Sequence, residues 1–294
     1  MSSKVIDYPG IYRSLIDAAQ PPEAPWRPYL NKIGINDQVI EALNLRVCSK
    51  DYPKVIDEVR KQYDDEDLVA ADVIFDPLFE EDDQVRGTFH NYHQAGLDCL
   101  LIPYLRNNRP VFIRARPLCN RKQLKAAGVP SSIGTGSSPC PFNIDCIEEA
   151  MPVVICRGEI PAMVGISQGV RVMGISRWAR FQQVWVHWFR EANEVRLLID
   201  AADEDTKKGL PRVQNMFDKA GMGQPSHGEM KGDLKEFFTG LREEFAARGE
   251  SPATIASLDE PEKKPDASDE SGAPATDQSA NPGDADSADE DAAS

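Results

Sequence analysis

Acidic residues crowd the end of a short segment late in the chain, and carboxylates packed this closely can bind a divalent cation. Residues 195–199 are mainly apolar and predict a buried strand, which is followed by Asp200, Asp203, Glu204 and Asp205. Open parallel sheets bind ligands at the carboxyl ends of their strands, and carboxylates crowded there repel one another until a cation such as Mg²⁺ neutralises them. The alternative is an acidic first helical turn, which the helix dipole stabilises.

A group of cations forms a second candidate site. Five of them fall within twelve residues: Arg114, Arg116, Arg121, Lys122 and Lys125. Arg114 and Arg116 are two residues apart on a predicted strand and therefore share one face. In a chain that is acidic overall, this cluster favours contact with the phosphate groups of nucleic acid. The alternative is a solvated basic strand end.

Histidine and cysteine side chains offer a third candidate, a zinc site. His90 and His93 are followed by Cys99 and, later, Cys119. Two His and two Cys can bind Zn²⁺ tetrahedrally. Their spacing is not that of the common zinc motifs, and Cys99 begins an apolar strand. This favours structural or exposed residues over metal ligands.

Aromatic residues recur along one later segment at spacings of three and four: Trp178, Phe181, Trp185, Trp188 and Phe189. Such spacing predicts one stripe of a helix, which is typical of core packing. Two alternatives stay open, a surface that stacks nucleic-acid bases and a surface that binds a partner helix.

Alternating strands and helices are predicted to position the acidic cluster. After Met151 their spacing is typical of a small parallel sheet covered by helices on both faces. The predicted strands cover residues 152–156, 170–174, 195–199 and, weakly, 225–230. The predicted helices cover residues 162–167, 178–192, 206–220 and 233–248.

The first half of the chain has a mixed α+β pattern. Asn36 and Ser49 are predicted N-caps of two helices. The predicted helices cover residues 37–43, 50–63 and 66–71, with a short one near 11–19. Two apolar segments, 99–104 and 110–116, are joined through Asn107-Asn108 and predict a β-hairpin. Residues 128–141 predict an irregular surface loop.

Charge is concentrated at the C-terminus of the 294 residues. Residues 251–294 contain twelve Asp or Glu and two Lys, which leaves only −5 of the net charge of −15 for residues 1–250. That balance argues against a strongly basic protein that coats DNA indiscriminately. The acidic segment has too few apolar residues to fold and is predicted to be disordered. Six scattered Cys, no signal peptide and no apolar span predict a cytoplasmic protein that does not contact the membrane.

Motifs after Met151 resemble those of the Toprim domain, which primases, topoisomerases and related nucleases share. The family's E-G-x-x-D-A motif corresponds to Val153-Val-Ile-Cys-Arg-Gly-Glu-Ile-Pro-Ala162, and its D-x-D motif corresponds to Leu197-Leu-Ile-Asp-Ala-Ala-Asp203. Between them, Val172-Met-Gly-Ile-Ser176 matches the family's middle strand. Lys231-Gly-Asp-Leu-Lys-Glu-Phe-Phe238 resembles a later segment of phage and plasmid primases.

Motifs before Met151 resemble the first half of a DnaG-type primase core. Tyr29-Leu through Gly34-Ile resembles the entry Y-L-x-x-R-G-I, and Phe112-Ile-Arg-Ala-Arg-Pro-Leu118 resembles the second strand of the family's hairpin. As an order of elements, the resemblance extends from about Trp26 to Arg248. It implies a Toprim-like α/β domain preceded by an α+β primase-core-like subdomain.

Two acids of the family pattern are missing. The opening glutamate, which acts as general acid/base in the family, corresponds to Arg157, and the closing acid corresponds to Pro161. Arginine cannot exchange a proton near neutral pH, and it is expected to pair with Asp200 or Asp203 and so take the place of Mg²⁺. Glu159 is the substitute acid/base available in the same loop.

The resemblance implies a primase-related protein of DNA replication, of a host or a mobile element, that binds single-stranded or primer–template nucleic acid. Its metal-dependent catalysis is predicted to be weakened or lost. If active, the chain would be a DNA primase with Glu159 as acid/base, and Mg²⁺ would be held by Asp200, Asp203 and Asp233, with Asp205 as a substitute. The alternative is a non-catalytic module that binds a replication or mobile-element protein through the aromatic segment and the acidic tail.

Four segments are predicted. They are a leader over residues 1–25, the α+β subdomain over 26–150, the Toprim-like domain over 151–249 and the acidic tail over 250–294.

Overall fold

The computed structural model describes residues 5–48, 51–75, 87–200 and 204–257. Three predictions therefore lie outside the described residues: the cap Ser49, the ligand Asp203 and the tail beyond residue 257. The described α-helices are α1 (Tyr8–Ala18), α2 (Trp26–Lys32), α3 (Asp37–Ala42), α4 (Tyr52–Arg60), α5 (Asp65–Ala70), α6 (His90–Gln94), α7 (Arg121–Ala127), α8 (Glu159–Ser167), α9 (Glu204–Lys219) and α10 (Leu234–Ala247). The strands are β1 (Arg46–Cys48), β2 (Cys99–Arg106), β3 (Arg109–Pro117), β4 (Ile133–Gly134), β5 (Pro152–Arg157), β6 (Val172–Ile175), β7 (Glu194–Ile199) and β8 (Ser226–Glu229).

An antiparallel sheet of order β1-β2-β3-β4 occupies the first half. The predicted hairpin is confirmed as β2 and β3, which turn through Asn107 and Asn108 at φ of 51° and 59°. Asn tolerates this left-handed conformation better than most residues, which explains why it occupies the turn. Both faces of the sheet are buried: Leu101 and Ile113 face a cluster with α1 and α4, and the opposite face adjoins the second half of the chain.

A parallel sheet of order β6-β5-β7-β8 occupies the second half, as the alternation of elements predicted. On one face it packs against α8 and α10 in a central core that includes Val154, Ala162 and Phe238. On the other face it packs against α9 and an aromatic core that includes Trp178 and Phe217. Because all four strands run in one direction, their carboxyl ends meet at one edge of the sheet.

The predicted α-helix over residues 178–192 is replaced by two 3₁₀-helices, Trp178–Arg180 and Gln183–Glu191. In a 3₁₀-helix, side chains three residues apart eclipse one another. Trp185 and Trp188 accordingly stack, with ring centroids 6.3 Å apart. Packing of this segment against α9 decides its geometry, because the stripe of aromatic residues suits either kind of helix.

The two predicted halves share one interior. The central core contains Leu100 and Tyr104 of the first sheet together with Val154 and Phe238 of the second half. All described residues, from 5 to 257, accordingly belong to one compact folded unit. Helix α1 of the predicted leader is part of this unit and is buried along one face.

Residues 251–257, predicted as the start of the tail, pack onto the folded unit. Arg171 is almost fully buried and donates to the carbonyl oxygens of Ser251 and Pro252, at 2.9 and 3.4 Å, while it pairs with Glu148 at 2.7 Å. Ile255 contacts the central core. The folded unit therefore continues past the predicted boundary at residue 250.

An ion-pair network joins β7 to α10. Arg196 contacts Glu194 and Glu244 at 2.8 Å each, and Arg248 also contacts Glu194 at 2.8 Å. Burial raises the pKa of Glu194, but hydrogen bonds from Arg248 and Arg196 outweigh it and lower that pKa overall. A hydrogen bond from Arg196 lowers the pKa of Glu244. We refer to these four residues as the Arg196 network. Among the described residues, none of the helices combines the length and apolar character needed to cross a lipid bilayer.

Candidate functional site

A cleft of about 1000 Å³ lies where the carboxyl ends of the parallel strands face the hairpin strand β3. Residues that follow each of the four strands line it: Gly158 after β5, Ser176 after β6, Asp200 after β7 and Gly232 after β8. The opposite wall is formed by β3 and residues 130–136. This is the edge at which open parallel sheets bind ligands.

Arginine dominates the charge of the cleft. Its lining includes five arginines: Arg114, Arg116, Arg157, Arg177 and Arg180. Two carboxylates, Glu159 and Asp200, oppose them. The cleft therefore carries an excess of three positive charges in a chain of net charge −15. Such a concentration of guanidinium groups attracts anions, phosphate groups above all.

Glu159 lies at the bottom of the cleft, where three side chains hold it. The Tyr104 hydroxyl donates to its Oε1 at 2.5 Å, and Arg116 donates to its Oε2 at 3.0 Å. The Nε of Arg114 lies 3.2 Å from Oε1. The carboxylate side chain is only 3% exposed. Two arginines therefore neutralise it, and we name Tyr104, Arg114, Arg116 and Glu159 the buried quartet.

Burial also determines the state of the tyrosine in the quartet. Desolvation raises the pKa of Tyr104 well above its usual value, and the neighbouring Glu159 carboxylate raises it further. The phenol therefore stays protonated and acts as a hydrogen-bond donor. Arg114 lies over the rings of Tyr104 and Phe112, 5.6 and 5.4 Å from their centroids. This contact fixes the guanidinium between the aromatic rings and the carboxylate.

A glycine turn positions Arg157 and Glu159 on the two sides of the β5–α8 junction. Gly158 has φ of +91°, which disfavours any side chain, and its N–H donates to the Ile175 carbonyl at 2.8 Å. A Cβ on Gly174 would lie 2.8 Å from the Gly158 carbonyl oxygen. The close approach of β5 and β6 therefore needs glycine at both positions.

Asp205, a predicted substitute ligand, fastens the rim of the cleft. Its Oδ2 accepts a hydrogen bond from the backbone N–H of Trp178 at 2.8 Å. The same oxygen lies 4.0 Å from Nε of Arg157. The Trp178 indole also donates to Thr206 at 3.1 Å. The first turn of α9 thus binds the segment after β6, which is the acidic helix start that the sequence left open as an alternative.

The other predicted ligands lie in different surroundings. Asp200 is exposed and lines the cleft. Asp233 is the N-cap of α10, where its carboxylate accepts from the backbone N–H groups of Lys235 and Glu236 at 2.9 and 3.1 Å. Among the predicted ligands, Asp200 is thus the described one that faces the cleft.

The predicted cations separate into two groups. Arg114 and Arg116 line the cleft, whereas Arg121, Lys122 and Lys125 lie exposed on α7 and are not among its lining residues. Sequence reasoning missed Arg177 and Arg180. They follow β6, so the rule that ligands bind at strand ends could have identified them.

The donor set of the described residues does not fit a divalent cation. No group of three or more His, Cys, Asp or Glu that could hold a metal occurs in the part of the chain that the structure describes. Where the Toprim pattern requires acids, this chain has the Arg157 guanidinium and Pro161, which has no ligand atom. The predicted zinc ligands give no such group either: Cys99 is buried in β2, opposite Cys48 of β1.

Three solved structures are similar to this chain. The zinc-binding and RNA polymerase domains of the Aquifex aeolicus primase match with a TM-score of 0.62 and 17% identity, over 86% of this chain and 63% of that one. The DnaG catalytic core matches with a TM-score of 0.59 and 14% identity, over 84% and 80%. The DnaG primase catalytic domain bound to ssDNA gives 0.59 and 14%, over 83% and 81%.

These similarities establish the fold. The chain has the α/β fold of a DnaG-type primase catalytic core, and it spans less than two thirds of the Aquifex aeolicus structure. No family model matches the sequence, and no curated protein matches it.

Proposed function

We propose that this chain is a primase-related protein of DNA replication that binds single-stranded or primer–template nucleic acid in its arginine cleft and has lost metal-dependent catalysis. One observation carries the proposal: five arginines meet at the carboxyl edge of the parallel sheet, against two carboxylates. Guanidinium groups bind phosphate with two parallel hydrogen bonds. The DnaG domain of the same fold that was solved with ssDNA supports the choice of ligand.

The loss of catalysis is supported by the environment of the candidate acid/base. Glu159 is paired with two arginines and a tyrosine and is almost completely buried. A general acid/base must reach the reacting proton within hydrogen-bond distance, and this carboxylate is engaged from three directions. Arg157, at the position of the family's glutamate, cannot exchange a proton at all.

Binding is tested by fluorescence anisotropy of a labelled oligothymidylate as the salt concentration is raised. We expect tight binding at low salt that weakens steeply, because bound phosphates release counterions. The double substitution Arg177→Gln/Arg180→Gln is expected to reduce the log–log salt slope by about 1.4, since each lost contact with single-stranded DNA is worth about 0.7. Lys54→Gln/Lys61→Gln, near α4, removes the same charge outside the cleft and serves as the control.

Two outcomes oppose this proposal. No binding at the lowest salt would remove nucleic acid as the ligand. Equal effects of the cleft and control substitutions would mean that net charge, and not the cleft, attracts the DNA. The predicted contribution of α7 is measured in the same assay with Arg121→Gln/Lys122→Gln.

Catalysis is tested separately by primer synthesis with Mg²⁺ or Mn²⁺. We expect no product from the native protein on single-stranded templates. Metal-dependent product that disappears in Asp200→Ala would establish an active primase and reject this part of the proposal. Glu159→Gln distinguishes the two alternatives further, since it removes a working acid/base but leaves an inactive protein inactive.

The alternative of a protein-interaction module depends on the aromatic segment. Trp178, Phe181, Trp185 and Phe189 are at most 5% exposed and contribute to the aromatic core. Their main use is therefore packing, and the exposed large apolar side chain of this segment is Val184. This distribution favours the nucleic-acid proposal over a docking surface built from these rings.

A further inference from the structure

We infer that Arg157 takes the place of a divalent cation in the cleft, so that guanidinium groups alone hold the phosphates and nucleic-acid binding needs no metal. The inference rests on the proposed function and specifies how that site recognises its ligand. It starts from a disagreement: the Toprim pattern requires an acid after β5, and this chain carries a cation there.

The charge of the site changes sign with that one residue. A glutamate at position 157 would face the Asp205 carboxylate, which lies 4.0 Å from the present guanidinium. Two like charges at such a distance repel each other and require a cation. Arg157 brings the positive charge covalently, so Asp205 is already compensated and can keep its hydrogen bond to the Trp178 backbone. The edge of the sheet is thus electrostatically complete without an added ion.

Neighbouring donors extend the positive surface. Arg177 and Arg180 are exposed at the end of β6, and together with Arg157 they line the same cleft. Ser131, Ser132 and Ser176 contribute to the walls. Arginine has five N–H donors in a planar arrangement that matches phosphate oxygens. A phosphodiester here can receive all its hydrogen bonds from the protein.

The cleft also indicates which part of the nucleic acid it recognises. Phe112 is the aromatic residue among its lining residues, and it is only 1% exposed. Stacking of bases requires an accessible ring or guanidinium plane. With its ring buried, the cleft binds the phosphates of the backbone and discriminates little between base sequences.

The experiment compares the affinity of the native protein for labelled oligothymidylate in excess EDTA and in MgCl₂ at the same ionic strength. We expect equal or tighter binding in EDTA, because Mg²⁺ competes with the protein for phosphate charge. Arg157→Gln is expected to weaken binding about tenfold in either buffer, the loss of one charge-assisted hydrogen-bonding group. Arg157→Glu is expected to make binding depend on Mg²⁺, which then bridges the carboxylates and the phosphate. Lys61→Gln is the control for a lost surface charge.

The outcomes separate the two proposals. Native binding that is lost in EDTA and restored by Mg²⁺ overturns this inference and leaves the proposed nucleic-acid function intact. Absence of binding in both buffers overturns the proposed function. Native affinity in Arg157→Gln overturns the role of Arg157. Because the EDTA comparison uses the unmodified protein, it decides the question even if a variant folds poorly.

Discussion

Replacing Glu159 with Gln is expected to lower the free energy of unfolding by about 3 kcal/mol, because the substitution leaves buried arginines without a counter-charge. Gln has nearly the volume of Glu, and its amide oxygen can still accept from the Tyr104 hydroxyl. What disappears is the negative charge that neutralises Arg114 and Arg116. Their side chains are 11% and 32% exposed, respectively.

The magnitude follows from these exposures. Removing one partner of a fully buried ion pair costs about 3–5 kcal/mol. The lower end applies because Arg116 is one third exposed, so solvent screens its contribution. For a folded unit of this size, 1 kcal/mol corresponds to about 2–4 °C in melting temperature, which gives a decrease of about 6–12 °C.

Thermal unfolding followed by circular dichroism measures this effect, and two further variants identify its cause. Tyr104→Phe removes one hydrogen bond to the carboxylate and is expected to cost about 2 kcal/mol. The double substitution Glu159→Leu/Arg114→Met replaces the pair with apolar side chains and is expected to recover much of the loss, as replacement of a buried ion pair often does.

A melting temperature of Glu159→Gln that equals that of the native protein would refute this reasoning. It would mean that the carboxylate is not held by the buried quartet and is available for chemistry. Loss of primer synthesis in the same variant, without loss of stability, would point to Glu159 as a working acid/base. We expect neither result, and we expect DNA affinity to be maintained because the cleft gains one positive charge.

Three other predictions concern the surrounding framework. Gly209→Ala is expected to destabilise the fold by about 1–3 kcal/mol in urea unfolding, because its new Cβ would overlap Trp178. Truncation after residue 249 is expected to lower the melting temperature and truncation after 257 to leave it unchanged, since residues 251–257 satisfy the buried Arg171; equal melting temperatures would contradict this. The carboxylates of the Arg196 network have lowered pKa values, so their stabilisation is complete above their unfolded pKa of about 4.5 and is lost as the pH falls through their lower folded values. Melting between neutral and acidic pH should show this loss, and Arg196→Leu should make it smaller.

Much of the fold could be predicted because its signals are local. The β2–β3 hairpin follows from two apolar segments around Asn107-Asn108, and α3 follows from the cap Asn36, whose side chain accepts from the Val39 N–H. The four parallel strands follow from their alternation with helices. The aromatic segment 178–192 failed as an α-helix because its geometry depends on packing against α9, a contact that no local pattern encodes.

The candidate site was less predictable. Its position at the carboxyl edge of the parallel sheet followed from the strand order, and Arg114, Arg116, Arg157, Glu159 and Asp200 all line the cleft. Their pairing did not follow. The sequence predicts that Arg157 pairs with Asp200 or Asp203, whereas the distance that the structure establishes joins it to Asp205.

The sequence by itself determined the order of strands and helices, the excess of acid in residues 251–294 and the replacement of a family glutamate by Arg157, because these depend on residue types and on neighbours within a few positions. Only the tertiary structure decided that Glu159 is neutralised and that Arg177 and Arg180 share a cleft with Arg114. The partners Tyr104 and Arg116 lie 55 and 43 positions away from Glu159 in the chain. Coulomb and hydrogen-bond energies depend on distance in space and on burial, which only the packing of the two sheets provides.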